Sequence, residues 1–207
     1  ALFFYKEDTK KSLEEYVDKL KNVVFQSKLG TIFDKTLRIE KLSTDILNLL
    51  NLKNDIDDVK RASKLCKADL VTNMVFEFTE LQGIMGKEYA KLSGENENVC
   101  EAIFEHYLPR FAGDILPKTN CGIALSISDK LDSICGFFAI NICPTGSQDP
   151  YALRRQALGV LNIVIDNKLN INLKELVRLS LENYSNLEFN KEEVINSIME
   201  FFKERIK

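Results

Sequence analysis

The stretch Ser126–Phe137, SISDKLDSICGF, decides how the chain folds. It lies in a helical pattern running from about 120 to 140 and places two carboxylates, Asp129 and Asp132, among apolar neighbours. Residues at i and i+3 share a helix face, so both acids point the same way. Two carboxylates at this spacing can hold a metal ion. They can equally pair with cations, for which Lys130, Arg154 and Arg155 are available. The spacing leaves both open.

Helical periodicity dominates on either side of this stretch. Ser12 and Glu15 have capping-box spacing, and Leu13, Tyr16, Val17, Leu20 and Val24 come after them at threes and fours until Gly30 stops the helix. A second helix is predicted over roughly 35–52, carried by Leu42, Ile46, Leu49 and Leu50. A third begins with Val59, Ala62, Leu65 and Cys66, and Leu70, Met74, Phe78 and Leu81 continue it past a kink near Asp69. Gly83, Gly86 and Gly94 punctuate the segment after it. Further helices are predicted over about 97–108, 120–140, 149–168, 173–184 and 191–206. The first residues, ALFFYKED, read as a strand leaving another structure, and the chain as a piece of a longer protein. Strand alternation is otherwise nearly absent. The expected fold is all-α, with residues 1–34 as an N-terminal connector and first helix and 35–207 as one helical domain.

Composition supports this reading. With 45% hydrophobic and 29% charged residues, 9 Gly and 4 Pro, the 207-residue chain is neither disordered nor a loop-rich sandwich. A net charge of −3 confines any nucleic-acid contact to a local patch. The five cysteines, Cys66, Cys100, Cys121, Cys135 and Cys143, form no CxxC pair and are odd in number. They read as reduced, buried thiols, not as a disulfide framework or a zinc site. No apolar run approaches a membrane span, and the expected location is cytoplasmic.

Three further motifs carry chemistry. In Pro144–Gly159, PTGSQDPYALRRQALG, Asp149 and Pro150 fit the N-cap and first position of a helix, after a Pro144–Gly146 turn. Arg154 and Arg155 point about 100° apart on that helix, so they cannot share one carboxylate face. They either staple it to the Asp129–Asp132 helix or meet a phosphate. In KRASKLCKADL, Lys60, Lys64 and Lys67 fall at i, i+4 and i+7 beside Arg61, either a solvated stripe or one that neutralises phosphates. His106, the only histidine, reads as a buried helix residue with a hydrogen-bond partner, because no nucleophile is placed near it. No P-loop, GxSxG, GxGxxG or HExxH occurs, and no catalytic constellation can be assembled.

The order of these elements resembles the HD superfamily, in which one His, a His–Asp pair and a distant Asp hold metal for phosphohydrolysis. The matching positions here are Arg38, Ala68–Asp69 and Asp129. Two of four ligands are missing, so the resemblance implies no metal, with Arg38 as a fixed cation bridging Asp69 and Asp129. At closer range, LKNVVFQSKLGTIFDKTLRIEKL, CKADLVTNMVFEFTELQGIMGKEYAKLSGE, AIFEHYLPRFAGDILP, SDKLDSICGFFAI and PTGSQDPYALRRQALGVLNIVI together resemble the middle of the beta subunit of bacterial glycyl-tRNA synthetase, over roughly residues 1 to 170. The family pattern reads IGxxPTGSxDPxALRR, and Asn141 stands here where glycine is expected.

That resemblance implies an alpha2beta2 enzyme. Its alpha subunit makes glycyl-adenylate from glycine and ATP, and its beta subunit handles tRNA-Gly through an HD-like helical region without a metal site. This chain would then be a non-catalytic module, inactive alone and without a cofactor of its own. Its tRNA-binding candidates would be Lys60, Arg61, Lys64, Lys67, Arg154 and Arg155. The alternative is a scaffold for subunit or interdomain contacts that does not touch RNA.

Overall fold

The computed structural model describes residues 1–206. Among these residues, ten α-helices occupy Leu2–Asp8 (α1), Ile32–Leu49 (α2), Ile56–Leu65 (α3), Asn73–Glu77 (α4), Ile84–Leu92 (α5), Glu97–Glu105 (α6), Asn120–Ala139 (α7), Leu153–Asp166 (α8), Leu173–Glu182 (α9) and Lys191–Ile206 (α10). The fold is all-α apart from a two-stranded antiparallel hairpin, Val24–Gln26 with Gly30–Thr31.

The axis of the fold is α7. Every residue from Cys121 to Phe138 is buried, and α2, α3, α6, α8, α9 and α10 all pack around it. A helix enclosed on all sides is normally apolar all round. This one carries Ser126, Ser128, Asp129, Lys130, Asp132 and Ser133 into the interior, so its neighbours must supply polar partners. Its start is fixed by Thr119, whose Oγ1 accepts from the Gly122 N–H. Near its end Gly136 leaves room for Tyr184, whose hydroxyl donates to the Asp132 carbonyl at 3.0 Å.

Several sequence expectations are corrected. Residues 2–8 form a helix, not a departing strand. Phe4 packs edge-on against Phe78, and the buried Asp8 carboxylate accepts from the Asn73 and Met74 N–H groups and the Tyr89 hydroxyl. The Ser12–Glu15 capping box is present, but it opens a 3-10 helix over Leu13–Asn22, and the hairpin replaces the last expected turns. Gly30, at φ 82°, lets the chain reverse there. Leu13, Tyr16, Val17 and Leu20 are buried together with the core faces of α2 and α3. The third helix stops at Leu65, and short helical turns at Ala68–Val71, Asn73–Glu77 and Thr79–Leu81 take the place of a kinked continuation.

The cause of that break is Asp69. Its buried Oδ2 accepts from the N–H groups of Gly83 (2.7 Å) and Gly86 (2.9 Å), which ties the turn after α3 to the start of α5. The Gly83 and Gly86 signals therefore mark a helix start that periodicity did not reveal. A Cβ at Gly86 would lie 3.0 Å from Asp69 Oδ2, so glycine is what admits the carboxylate.

The helix expected from 149 starts instead at Leu153. Ala152 takes φ 53°, and the Asp149 carboxylate reaches forward to accept from the Leu153 (2.9 Å) and Arg154 (3.0 Å) N–H groups. Asp149 thus does the capping chemistry expected of it, from outside the helix. Asn141 adopts φ 63°, the left-handed region that glycine enters without strain and asparagine tolerates better than most residues. That accounts for the family's glycine at this position.

Gly136→Ala places a Cβ 2.6 Å from the Tyr184 hydroxyl and 3.0 Å from Leu29 Cδ1. The expected outcome is a loss of about 1–3 kcal/mol in denaturant unfolding, from overpacking. An unchanged midpoint would show that Tyr184 does not seat on α7 as described.

Candidate functional site

Two elements bring cations to the buried polar face of α7, α2 and the turn after α3. From α2, the Lys35 ammonium donates to Asp132 Oδ2 (2.9 Å), Ser133 Oγ (2.9 Å) and the Asp129 carbonyl (3.1 Å), and lies 3.4 Å from Asp129 Oδ1. Arg38, also on α2, grips Asp132 through Nε (2.7 Å) and Nη2 (3.2 Å) and stacks over the Tyr184 ring. This bidentate fork is the stronger kind of charged hydrogen bond. From the turn after α3, Lys67 reaches within 3.2 Å of Asp129 Oδ1 and sits over the Tyr107 ring. Lys130 folds back onto the Leu108 carbonyl (2.9 Å) and Ser126 Oγ (2.7 Å).

These surroundings set the protonation states. Burial by itself would raise both carboxyls. Lys67 and Lys35 instead hold Asp129 well below the usual carboxylate range, and Lys35 and Arg38 hold Asp132 down. Burial pulls the Lys130 ammonium down to about 8. Burial pushes Asp69 up to about 6 against the opposing pull of the Gly83 and Gly86 N–H groups. His106 is pushed down to about 3 by burial and by nearby Lys67. It is neutral, with Nδ1 on the Ile103 carbonyl, Nε2 without a partner among the described residues and its ring 3.9 Å from that of Tyr107.

Arg38 therefore does not bridge Asp69 and Asp129, as the sequence suggested. It belongs to Asp132, while Asp69 turns to backbone and Asp129 takes two lysines. Ala68 is buried and has no donor. Ammonium groups crowd Asp129 where a metal would need ligands, so the residues present do not fit a metal ion. Among the described residues no three His, Cys, Asp or Glu side chains are arranged to hold one. Sequence reasoning missed Lys35. The available signal was its i, i+3 spacing to Arg38 on the helix opposite Asp129 and Asp132.

The lysine stripe is not one surface. Lys60 is exposed and unpaired among the described residues. Arg61 pairs with Glu14 (3.0 Å) and Glu95 (2.8 Å), and Lys64 pairs with Glu14 (2.8 Å). Lys67 is inside, because α3 ends at Leu65 and the next turn swings it toward Asp129. Arg154 and Arg155 do not staple α8 to α7: among the described residues neither side chain has an ion pair or hydrogen bond. Both line a cleft of about 550 Å³ between α8 and the 109–116 loop. A second cleft of about 600 Å³ adjoins it, walled by Tyr107, Asp129, Lys130, Arg155 and Gln156. Pro109, Phe111 and Arg155 border both.

Fold and site together define an all-α module with its acids neutralised inside and, among the described residues, two arginines left unpaired at a cleft. The chain belongs to the glycyl-tRNA synthetase beta subunit family, whose model matches residues 1–207. It is 70% identical over 207 residues to the glycine–tRNA ligase beta subunit of Clostridioides difficile (strain 630), covering 100% of this chain and 30% of that protein. It is 51% identical over 209 residues to the one from Syntrophomonas wolfei, again 100% of this chain and 30% of the relative. For Geobacter sulfurreducens the figures are 49% over 206 residues, 99% and 30%. The chain thus spans about 30% of the length of these curated relatives. Among the described residues no helix is long and apolar enough to cross a membrane.

Because His106 is neutral when folded and ordinarily titrates near 6.5, the unfolded chain binds the extra proton and stability falls as pH drops from 6.5 toward 3. Asp69 works the other way, its stabilising contribution falling as pH rises from 3.8 to about 6. Comparison with His106→Gln cancels the Asp69 part. Between pH 7 and pH 5, the stability of the native chain against unfolding should fall by about 2 kcal/mol relative to the variant. Parallel pH profiles would show that His106 is already charged or exposed.

Proposed function

We propose that the chain is a non-catalytic module of the beta subunit of an alpha2beta2 glycine–tRNA ligase, where it helps to position tRNA-Gly while the alpha subunit uses ATP to activate glycine. The observation that supports this best is the pair of unpaired arginines, Arg154 and Arg155, at the capped start of α8 beside two clefts. Arginines without internal partners in a chain of net charge −3 are suited to phosphate. Exposed Lys60 and the Glu14-paired Arg61 and Lys64 extend the basic surface more weakly, and Lys67 drops out of it. The location that fits this role is the cytoplasm. The Arg38, Ala68, Asp69 and Asp129 positions support descent from an HD-like domain whose metal-binding role passed to an internal ion cluster.

A second reading, a scaffold for subunit contacts without RNA contact, is favoured by that same cluster, which uses three basic residues purely for internal pairing. The two readings part in the complete enzyme. Arg154→Ala and Arg155→Ala should leave the melting temperature and glycine-dependent pyrophosphate exchange unchanged. They should raise the tRNA KM and lower the salt dependence of tRNA binding by about one unit each. Normal charging by both variants would favour the scaffold. The isolated chain should show only background pyrophosphate exchange, and activity above background without the alpha subunit would contradict the non-catalytic assignment.

A further inference from the structure

The second cleft carries features that a phosphate-contact surface does not need. Phe111, 56% exposed, stands on its rim. The loop that presents it is fixed. Asp114 accepts from the Arg110 N–H and Nε (2.8 Å each), from Arg110 Nη2 (3.1 Å) and from the Ile115 N–H (2.8 Å). A large aromatic exposed at a cleft, here with the Arg110 guanidinium 5.7 Å from its ring centroid, is suited to stacking a base. The lining also contains Asp129, only 8% exposed, whose Oδ1 is buried against Lys67 (3.2 Å) and Lys35 (3.4 Å) and whose Oδ2 is left to face the cleft. Arg155 stands between this cleft and the first, and Arg154, the residue before it on α8, lines the first only. The acids are Asp114 and Asp166 in the first cleft, Asp114 being held by Arg110, and Glu80 beside Asp129 in the second. The volume, about 600 Å³, falls within the roughly 300–1,000 Å³ of small-ligand sites.

A ring face, an unpaired cation and a buried acceptor around one cavity match the three parts of a nucleotide. A duplex offers no free base face, so a stacking platform implies an unpaired strand. We propose that this cleft seats one unstacked nucleotide of a single-stranded RNA segment, with its base on Phe111, its exocyclic amine donating to the Asp129 carboxylate and its phosphate on Arg155. The next phosphate along the strand then falls to Arg154. This deepens the tRNA-positioning reading and rests on it, turning a general phosphate contact into capture of an unpaired base.

The test uses the complete synthetase and filter binding of a tRNA-Gly transcript. Phe111→Ala should weaken binding by between about 5-fold and 150-fold, the range for loss of one stacked base, and Phe111→Tyr should restore it. Phe111 is exposed, so neither change should alter the melting temperature. A hexamer of adenylate should compete better than one of purine riboside, which keeps the stacking surface and lacks the exocyclic amine. It should also compete better than the same strand in a duplex. If Phe111→Ala binds normally while the Arg154→Ala/Arg155→Ala double variant binds weakly, nucleotide capture is overturned and tRNA positioning stands. If both bind normally, both fall. Equal competition by AMP and by the adenylate hexamer would make the occupant a free nucleotide and overturn the RNA assignment.

Discussion

The structure depends on the neutralisation of Asp129 and Asp132 inside the fold. A helix as enclosed as α7 could be apolar throughout, and desolvating two carboxylates costs several kcal/mol per ion unless geometry and hydrogen bonding compensate. Here compensation comes from Lys35 and Arg38 on α2 and from Lys67 on the turn after α3. The pairing fixes the rotation of α2 against α7, because only one register brings both cations onto the acids. It also draws in the segment after α3, where Asp69 is spent on the backbone of α5. The cluster specifies an arrangement more than it adds stability, since apolar residues of like volume often serve as well energetically.

The proposed function rests on the groups this pairing leaves over. With the charges of the α7 acids balanced from α2 and the turn after α3, neither arginine of α8 is drawn into an ion pair with them. Its orientation comes from Leu153, Ala157, Val160 and Leu161 packed into the core and from the Asp149 cap. Arg154 and Arg155 are therefore available to a partner. The same economy separates Lys67, an internal counter-ion, from Lys60 and Lys64, which sequence spacing had grouped with it.

Much of this was legible in the sequence. The helices around 120–140, 173–184 and 191–206 were plain because long apolar periodicity is a local signal. The capping chemistry of Ser12, Glu15 and Asp149 was readable for the same reason, although Asp149 acts from four residues ahead of Leu153. The hidden part depends on contacts distant in sequence. The α3 pattern looked continuous because Leu70, Met74 and Phe78 keep its spacing, yet Asp69 bonds to Gly83 and Gly86 and bends the chain away. The choice of Asp132 over Asp69 by Arg38, and the role of Lys35, are likewise matters of register between α2 and α7.

The most direct test of the central claim is a double-mutant cycle on Arg38 and Asp132, read by denaturant unfolding. Asp132→Leu alone strands Arg38 in the interior, leaves Lys35 to Asp129 and Ser133, and should cost about 3–5 kcal/mol. Adding Arg38→Met removes the stranded cation, so the double variant should be more stable than Asp132→Leu alone, with a coupling energy of about 1–3 kcal/mol. Additive losses would contradict the account, because they would mean that α2 and α7 are held in register by apolar packing and not by the buried charges.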